Sequence, residues 1–118
     1  MLVNILKSKI HRATVVDKNI AYEGSITIYE ELMKQANIAE YEQVHVVNVN
    51  NGQRFVTYAI KGDKPGDITI NGAAARLAEP GDVVIIMTYG MMDEKELSGY
   101  APLKVLLGEA NQIVKISR

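Results

Sequence analysis

Short β-branched runs broken by turn residues constrain this chain more than anything else in it. Val44-His45-Val46-Val47-Asn48-Val49 and Arg54-Phe55-Val56-Thr57-Tyr58-Ala59-Ile60 flank Asn50-Asn51-Gly52. Asn-Gly supplies the positive φ angles of a tight hairpin, and the flanking residues suit a pleated, half-buried surface. Asp82 to Thr88, after Pro80-Gly81, is nearly continuous in apolar residues and long enough for a buried strand. Val3 to Ile10, Ala13 to Val16, Ile68 to Ile70 and Ile113 to Ile116 read as further strands. Two short helices interrupt them. Thr27 with Glu30 has capping-box spacing, and Leu32, Met33 and Ala36 then recur at helical spacing within Tyr29 to Ala36. A second helix is expected after Asp93, with acids in its first turn. The pattern predicts a single, mainly β domain, 1–118, closed into a small barrel of about six strands, since closure removes sticky sheet edges.

Composition excludes several classes of function. Thirteen basic against fourteen acidic residues leave a formal charge of −1, so nothing recruits nucleic acid or an anionic membrane. No apolar run approaches the roughly 18 residues that span a bilayer, and Met1 to Lys7 lacks the pattern of a signal peptide. Without cysteine there is neither a disulfide framework nor a thiolate zinc site. The two histidines, His11 and His45, are far apart and give little ground for a metal site. A cytoplasmic protein is the expectation.

Gly24-Ser25 is the first candidate for chemistry. A serine hydroxyl that attacks the preceding carbonyl needs a backbone conformation most residues resist, and glycine has no Cβ to clash there. Alone, the dipeptide is an ordinary exposed turn. Arg54 and Tyr58 share a strand face, with backbones roughly 13 Å apart, and their long side chains suit a small ligand between them. Arg54 offers a fixed fork for a carboxylate, and a protonated phenol at Tyr58 is a proton donor. The competing account is a surface arginine beside a half-buried barrel tyrosine. Thr57 faces the other way. Lys9 and His11 share a face of the first strand, either adding to an anion site or lining a solvated face. Asn71-Gly72-Ala73-Ala74-Ala75 follows a short strand. Its small residues either let backbone N–H groups approach a ligand or form a plain turn before a helix.

Taken together, these segments resemble the pyruvoyl-dependent aspartate 1-decarboxylase family over essentially the whole chain. Lys-Ile-His-Arg-Ala at 9–13, Tyr-Glu-Gly-Ser at 22–25, Asn-Gly-Gln-Arg-Phe-Val-Thr-Tyr at 51–58, Asn-Gly-Ala-Ala-Ala at 71–75 and Pro-Gly-Asp at 80–82 stand in the family's order and spacing. One departure is visible: Val47 stands where many members carry an aromatic residue, which alters packing on one side of the pocket and removes no reacting group. The resemblance implies a double-psi β-barrel that assembles as a homotetramer with sites between neighbouring subunits. It implies self-cleavage into residues 1–24 and 25–118, with Ser25 becoming a covalent pyruvoyl group, and no metal or pyridoxal phosphate. That group would supply the electrophile this chain otherwise lacks.

The same resemblance implies roles for individual residues. Thr57 would hold the Gly24 carbonyl during processing and contact substrate with Gly72, Ala73 and Ala74, with Asn71 nearby. Tyr58 would protonate the carbon that loses CO2 as L-aspartate becomes β-alanine. Lys9, His11, Tyr22 and Arg54 would line the pocket. Arg54, with Lys9, is expected to hold the carboxylate that survives, since a charged grip on the departing one opposes its loss as neutral CO2. The alternatives are a decarboxylase for another small amino acid, or a non-enzymatic barrel whose Arg54 and 71–75 turn bind an anion.

Overall fold

One long strand organises the fold. In the computed structural model, which describes residues 1–118, β1 (Leu2–Thr14) pairs antiparallel with β7 (Val83–Asp93) along its length. It also pairs parallel with β8 (Leu103–Leu107) from Ser8 to His11. The two strands expected over Val3 to Ile10 and Ala13 to Val16 are therefore mostly one. Their break is a bulge, where His11 and Arg12 together lie between the pairs Ile10–Ile86 and Ala13–Val84. Arg12 takes a φ of 63° there, and the bulge re-aims the side chains around it.

The remaining strands are β2 (Asp17–Asn19), β3 (Ser25–Tyr29), β4 (Gln43–Asn48), β5 (Arg54–Gly62), β6 (Ile68–Asn71) and β9 (Ile113–Ser117). They complete a nine-stranded sheet in the order β2-β6-β3-β5-β4-β7-β1-β8-β9. Its ladders end at β2 and β9, so they describe an open sheet rather than the closed six-stranded one expected. The sheet nevertheless curls back on itself, because only Val15 and Val16 separate β1 from β2. Val15 N–H donates to the Asp82 carbonyl (2.8 Å) and Val16 N–H to the Ile68 carbonyl (2.9 Å). Inward residues at period two, such as Ile10, Ile26, Ile28, Val44, Val46, Ile68, Ile70, Val84, Ile86 and Val105, are fully buried in one cluster. Each such side chain contributes on the order of 1.5–3 kcal/mol by leaving water.

The hairpin prediction holds: β4 and β5 pair from Val47–Arg54 to Gln43–Tyr58, and Gly52 has a φ of +74° at the turn. The capping-box reading does not. Thr27 lies inside β3, paired with Ile60 on one side and Thr69 on the other, and that two-sided ladder carries the strand to Tyr29. The helix α1 (Glu30–Gln35) starts only there, with no side-chain cap. Glu30 and Glu31 still suit its N-terminal dipole, and its Leu32 and Met33, with Ala36 just beyond, are buried as the spacing implied. The second expected helix is a single 3-10 turn, Glu94–Glu96, capped by Asp93, whose carboxylate accepts from Lys95 N–H (2.9 Å).

Candidate functional site

Ser25 is the first residue of β3, held opposite Asn71 at the end of β6, and only 1% of it is exposed. Its hydroxyl donates to the Glu23 carbonyl (3.0 Å) and accepts from Asn71 Nδ2 (3.1 Å). Asn71 is itself buried, and the same Nδ2 donates to Thr27 Oγ1 (3.0 Å). A turn dipeptide in solvent has no reason to hold its serine this way. The residues before it remain exposed from Ile20 to Gly24, so the boundary between loop and sheet falls at the Gly24–Ser25 bond.

The need for glycine lies elsewhere than the sequence suggests. A Cβ added at Gly24 meets nothing within 4 Å, and Gly24 does not have a positive φ. Gly72 carries both demands. Its φ is +70°, and a Cβ there would stand 2.5 Å from Gly24 Cα, 2.7 Å from Gly24 N and 3.1 Å from the Tyr22 carbonyl oxygen. Room for a side chain exists at Gly24 and is missing at Gly72, which packs against the Gly24 backbone. Gly72 opens a 3-10 helix, Gly72–Leu77, in which Ala73 is exposed, Ala74 half-buried and Ala75 buried.

Tyr58 joins Ser25 in one cavity of about 250 Å3, with Tyr22, Tyr41, Ile60 and Lys61 also on its walls. The Tyr58 ring is tilted 50° against Tyr41 at a centroid distance of 6.3 Å. That volume suits a small amino acid rather than a large ligand. The parallel register of β3 on β5 begins at Ile26–Ala59. One step back along that register lie Ser25 and Tyr58, which both line the cavity. A second cleft of about 490 Å3 lies beyond Asn71, with Tyr22, Thr27, Lys61, Asp63 and Asp67 among its lining residues.

Lys9, His11 and Arg54 line neither cavity. Arg54 is exposed at the hairpin end of β5, opposite Val47, so it and Tyr58 share a face without converging on Ser25 within one chain. Lys9 lies between Met87 and Lys104. His11, at the β1 bulge, has a buried Nδ1 with no hydrogen-bond partner. Burial first, then the charges of Lys9 and Arg12, hold its pKa below the ordinary imidazole range, favouring the neutral ring. The structure thus assembles Tyr22, Gly24, Ser25, Tyr58, Asn71 and Gly72, and leaves Lys9, His11 and Arg54 apart. Thr27, Glu23 and Lys61 were not candidates from the sequence. Thr27 shares a face with Ser25 by strand alternation, a signal hidden by its capping-box spacing.

The sequence model of the family described as aspartate decarboxylase matches residues 1–114. Relatives named aspartate 1-decarboxylase include one from Caldicellulosiruptor saccharolyticus, 55% identical, covering 99% of this chain and 92% of its own. Another, from Pelotomaculum thermopropionicum, is 55% identical over 98% of this chain and 89% of its own. A third, from Campylobacter fetus, is 50% identical over 96% of this chain and 98% of its own.

Proposed function

We propose, from the premise that this chain belongs to the aspartate decarboxylase family, that it converts L-aspartate to β-alanine and CO2 with a pyruvoyl group made from its own Ser25. The observation that carries the pyruvoyl reading is the buried Ser25 hydroxyl, fixed between the Glu23 carbonyl and the Asn71 amide beside a Gly24 backbone packed on Gly72. The Ser25 oxygen attacks the Gly24 carbonyl carbon, and the Ser25 nitrogen leaves with the hydroxyl proton, turning the amide into an ester. Loss of the Ser25 Cα proton to water then breaks the Cβ–Oγ bond. Gly24 departs as a carboxylate and leaves a dehydroalanine, which water converts to pyruvoyl with release of ammonia. No external oxidant or reductant is needed. Thr57, the neighbour of Tyr58 on β5, holds the carbonyl as charge develops on it.

The pyruvoyl ketone supplies an electrophile for the substrate amine and a sink for the electrons released with CO2. The chain's own residues do the rest. Tyr58 delivers a proton from its phenol to the substrate carbon that has lost CO2. Backbone N–H groups of Gly72, Ala73 and Ala74, with Asn71, orient the substrate, and Tyr22 bounds the cavity. In a single chain the Ser25 cavity carries one basic side chain, Lys61, beside the acidic Glu23 and Glu40. A homotetramer with sites between neighbours adds Lys9, His11 and Arg54 of one copy to Ser25 of the next, Lys9 and Arg54 bringing further positive charge for the carboxylate. Arg54 then holds the carboxylate that remains in the product. In this reading the curled sheet is a double-psi barrel: β1 with β2 counts as one strand, joined by β6, β3, β5, β4 and β7, and the extra pair β8 and β9 lies outside it. No helix is long and apolar enough to cross a membrane, and a cytoplasmic enzyme is the corresponding proposal.

An intact mass spectrum of the denatured protein, before and after borohydride reduction, tests the reading. Two fragments split at Gly24/Ser25, the larger gaining two hydrogens, are expected. A single unmodified chain after prolonged warm incubation refutes it. Comparative turnover of aspartate, glutamate and neutral amino acids then tests the substrate.

A further inference from the structure

We infer that Thr27 is a positioning residue for self-cleavage, holding the Asn71 amide against the Ser25 hydroxyl; this deepens the reading that Ser25 is the cleavage serine and rests on it. The Asn71 Nδ2 group has two hydrogens and two acceptors, Ser25 Oγ at 3.1 Å and Thr27 Oγ1 at 3.0 Å. With one contact, the amide swings about its terminal bond, whose preference is broad and twofold. The second contact fixes which atom faces Ser25. Thr27 suits the task. It is β-branched and stiff at χ1, and β5 and β6 clamp its backbone from both sides. Its methyl is wedged where position 62 has no side chain: a Cβ on Gly62 would stand 2.8 Å from Thr27 Cγ2. With the methyl seated there, the hydroxyl accepts from Asn71 Nδ2. No other side-chain hydrogen bond involves Thr27.

The benefit falls on the second chemical step. In the ester, the former Ser25 hydroxyl oxygen links Ser25 Cβ to the Gly24 acyl carbon. When the Cα proton is lost and Cβ–Oγ breaks, that oxygen gains negative charge as part of the Gly24 carboxylate. A donor already aimed at it becomes a charge-assisted hydrogen bond as the bond breaks. Losing the anchor therefore slows elimination more than ester formation, and ester accumulates.

The test is a cleavage time course on Thr27→Val, Thr27→Ser, Asn71→Ala and the Thr27→Val/Asn71→Ala double variant, each read by mass after denaturation with and without hydroxylamine. Hydroxylamine traps ester as a Gly24 hydroxamate and leaves an N-terminal serine at 25. Thr27→Val should form pyruvoyl about tenfold more slowly with ester visible, and Thr27→Ser within about twofold of wild type, the range one hydrogen bond implies. The double variant should be no slower than Asn71→Ala, because both act through one contact. Wild-type kinetics in Thr27→Val, equal slowing in Thr27→Ser, or multiplied effects in the double variant each overturn the assignment. Circular dichroism checks folding, and Thr27→Ala substitutes if the valine variant misfolds. A wild type that cuts normally isolates a failure to Thr27; an uncut wild type overturns both this role and the Ser25 reading beneath it.

Discussion

Gly72→Ala should stop maturation while leaving the fold standing. The new Cβ would sit 2.5 Å from Gly24 Cα and 2.7 Å from Gly24 N, against roughly 3.5–4.0 Å for relaxed carbon contacts. Both obstacles are backbone atoms, so the overlap, about 1 Å or more, is relieved only by moving a chain segment. Alanine at a φ of +70° adds strain of about 1–2 kcal/mol. The exposed segment from Ile20 to Gly24 is the softer partner, since Ser25 is held by the ladder to Asn71. It should therefore lift away, keeping the stability loss to about 2–4 kcal/mol. Displacing a scissile carbonyl by 1 Å from its attacking oxygen costs on the order of 100-fold in rate. The assay is a mass time course of cleavage, with urea unfolding compared in a Ser25→Ala background so that cutting does not intrude. Gly24→Ala is the control: its Cβ meets nothing within 4 Å, so stability should change by less than about 0.5–1 kcal/mol. Wild-type cleavage by Gly72→Ala, or a larger stability loss at position 24 than at 72, would refute the argument that the glycine requirement sits at 72.

Other outcomes follow from named groups. Ser25→Ala should give a folded, uncut and inactive chain, since the attacking oxygen is gone; any cleaved or active product on mass spectrometry and turnover assay contradicts the central reading. Tyr58→Phe should mature at the wild-type rate yet turn over roughly 100-fold or more slowly, and unchanged turnover removes Tyr58 from proton delivery. Asp82 accepts from Asn48 Nδ2 (2.8 Å) and Glu79 N–H (2.9 Å), and these bonds, Asn48's first, hold its pKa below the ordinary carboxyl range against the opposing effect of burial. A depressed folded value means the stability it contributes is present above the ordinary carboxyl pKa and is lost as pH falls through the lower, folded one. Asp82→Ala should cost about 1–2 kcal/mol at neutral pH and flatten the acid limb of the stability curve; an unchanged acid limb refutes it.

What the sequence discloses and what it hides follow from the range of the interactions involved. Asn51-Gly52 and the apolar run before Thr88 are local signals, and they locate β4, β5 and most of β7. Thr27 shows the opposite case: its spacing to Glu30 fits a cap, yet pairing with Ile60 and Thr69, both distant in sequence, makes it a strand residue. Leu103 to Leu107 escaped notice as a strand because its partners, Ser8 to His11, lie at the other end of the chain. The same limit applies within the site. Strand alternation tells that Arg54 and Tyr58 share a face, but not that only Tyr58 reaches the Ser25 cavity. Nor does the sequence tell which of two glycines is sterically required. That depends on Gly72 meeting Gly24 across the fold.

The position of the Gly24–Ser25 bond suits the self-cleavage proposed above. Ser25 starts a strand with partners on both sides, so the new N-terminus stays in the sheet after the cut. The 1–24 piece that such a cut would give contains β1, the longest strand, paired to β7 and β8, and β2, paired to β6. Ile10, Ala13 and Val15 of that piece stay in the shared core. Few bonds hold the short connection between them: Tyr22 N–H to the Asn19 carbonyl (3.3 Å) and Ala21 N–H to Asn19 Oδ1 (3.1 Å). A cut there would fall at the end of an exposed stretch and remove no core contact. A Gly24 carboxylate freed by that cut would be exposed, with nothing within 4 Å on its Cβ side, and would have room to swing from Ser25 and open the cavity to substrate. On this proposal the loop must sit tightly on Gly72 before the cut and loosely after it, and its contact with Gly72 is backbone packing, free of any side-chain bond.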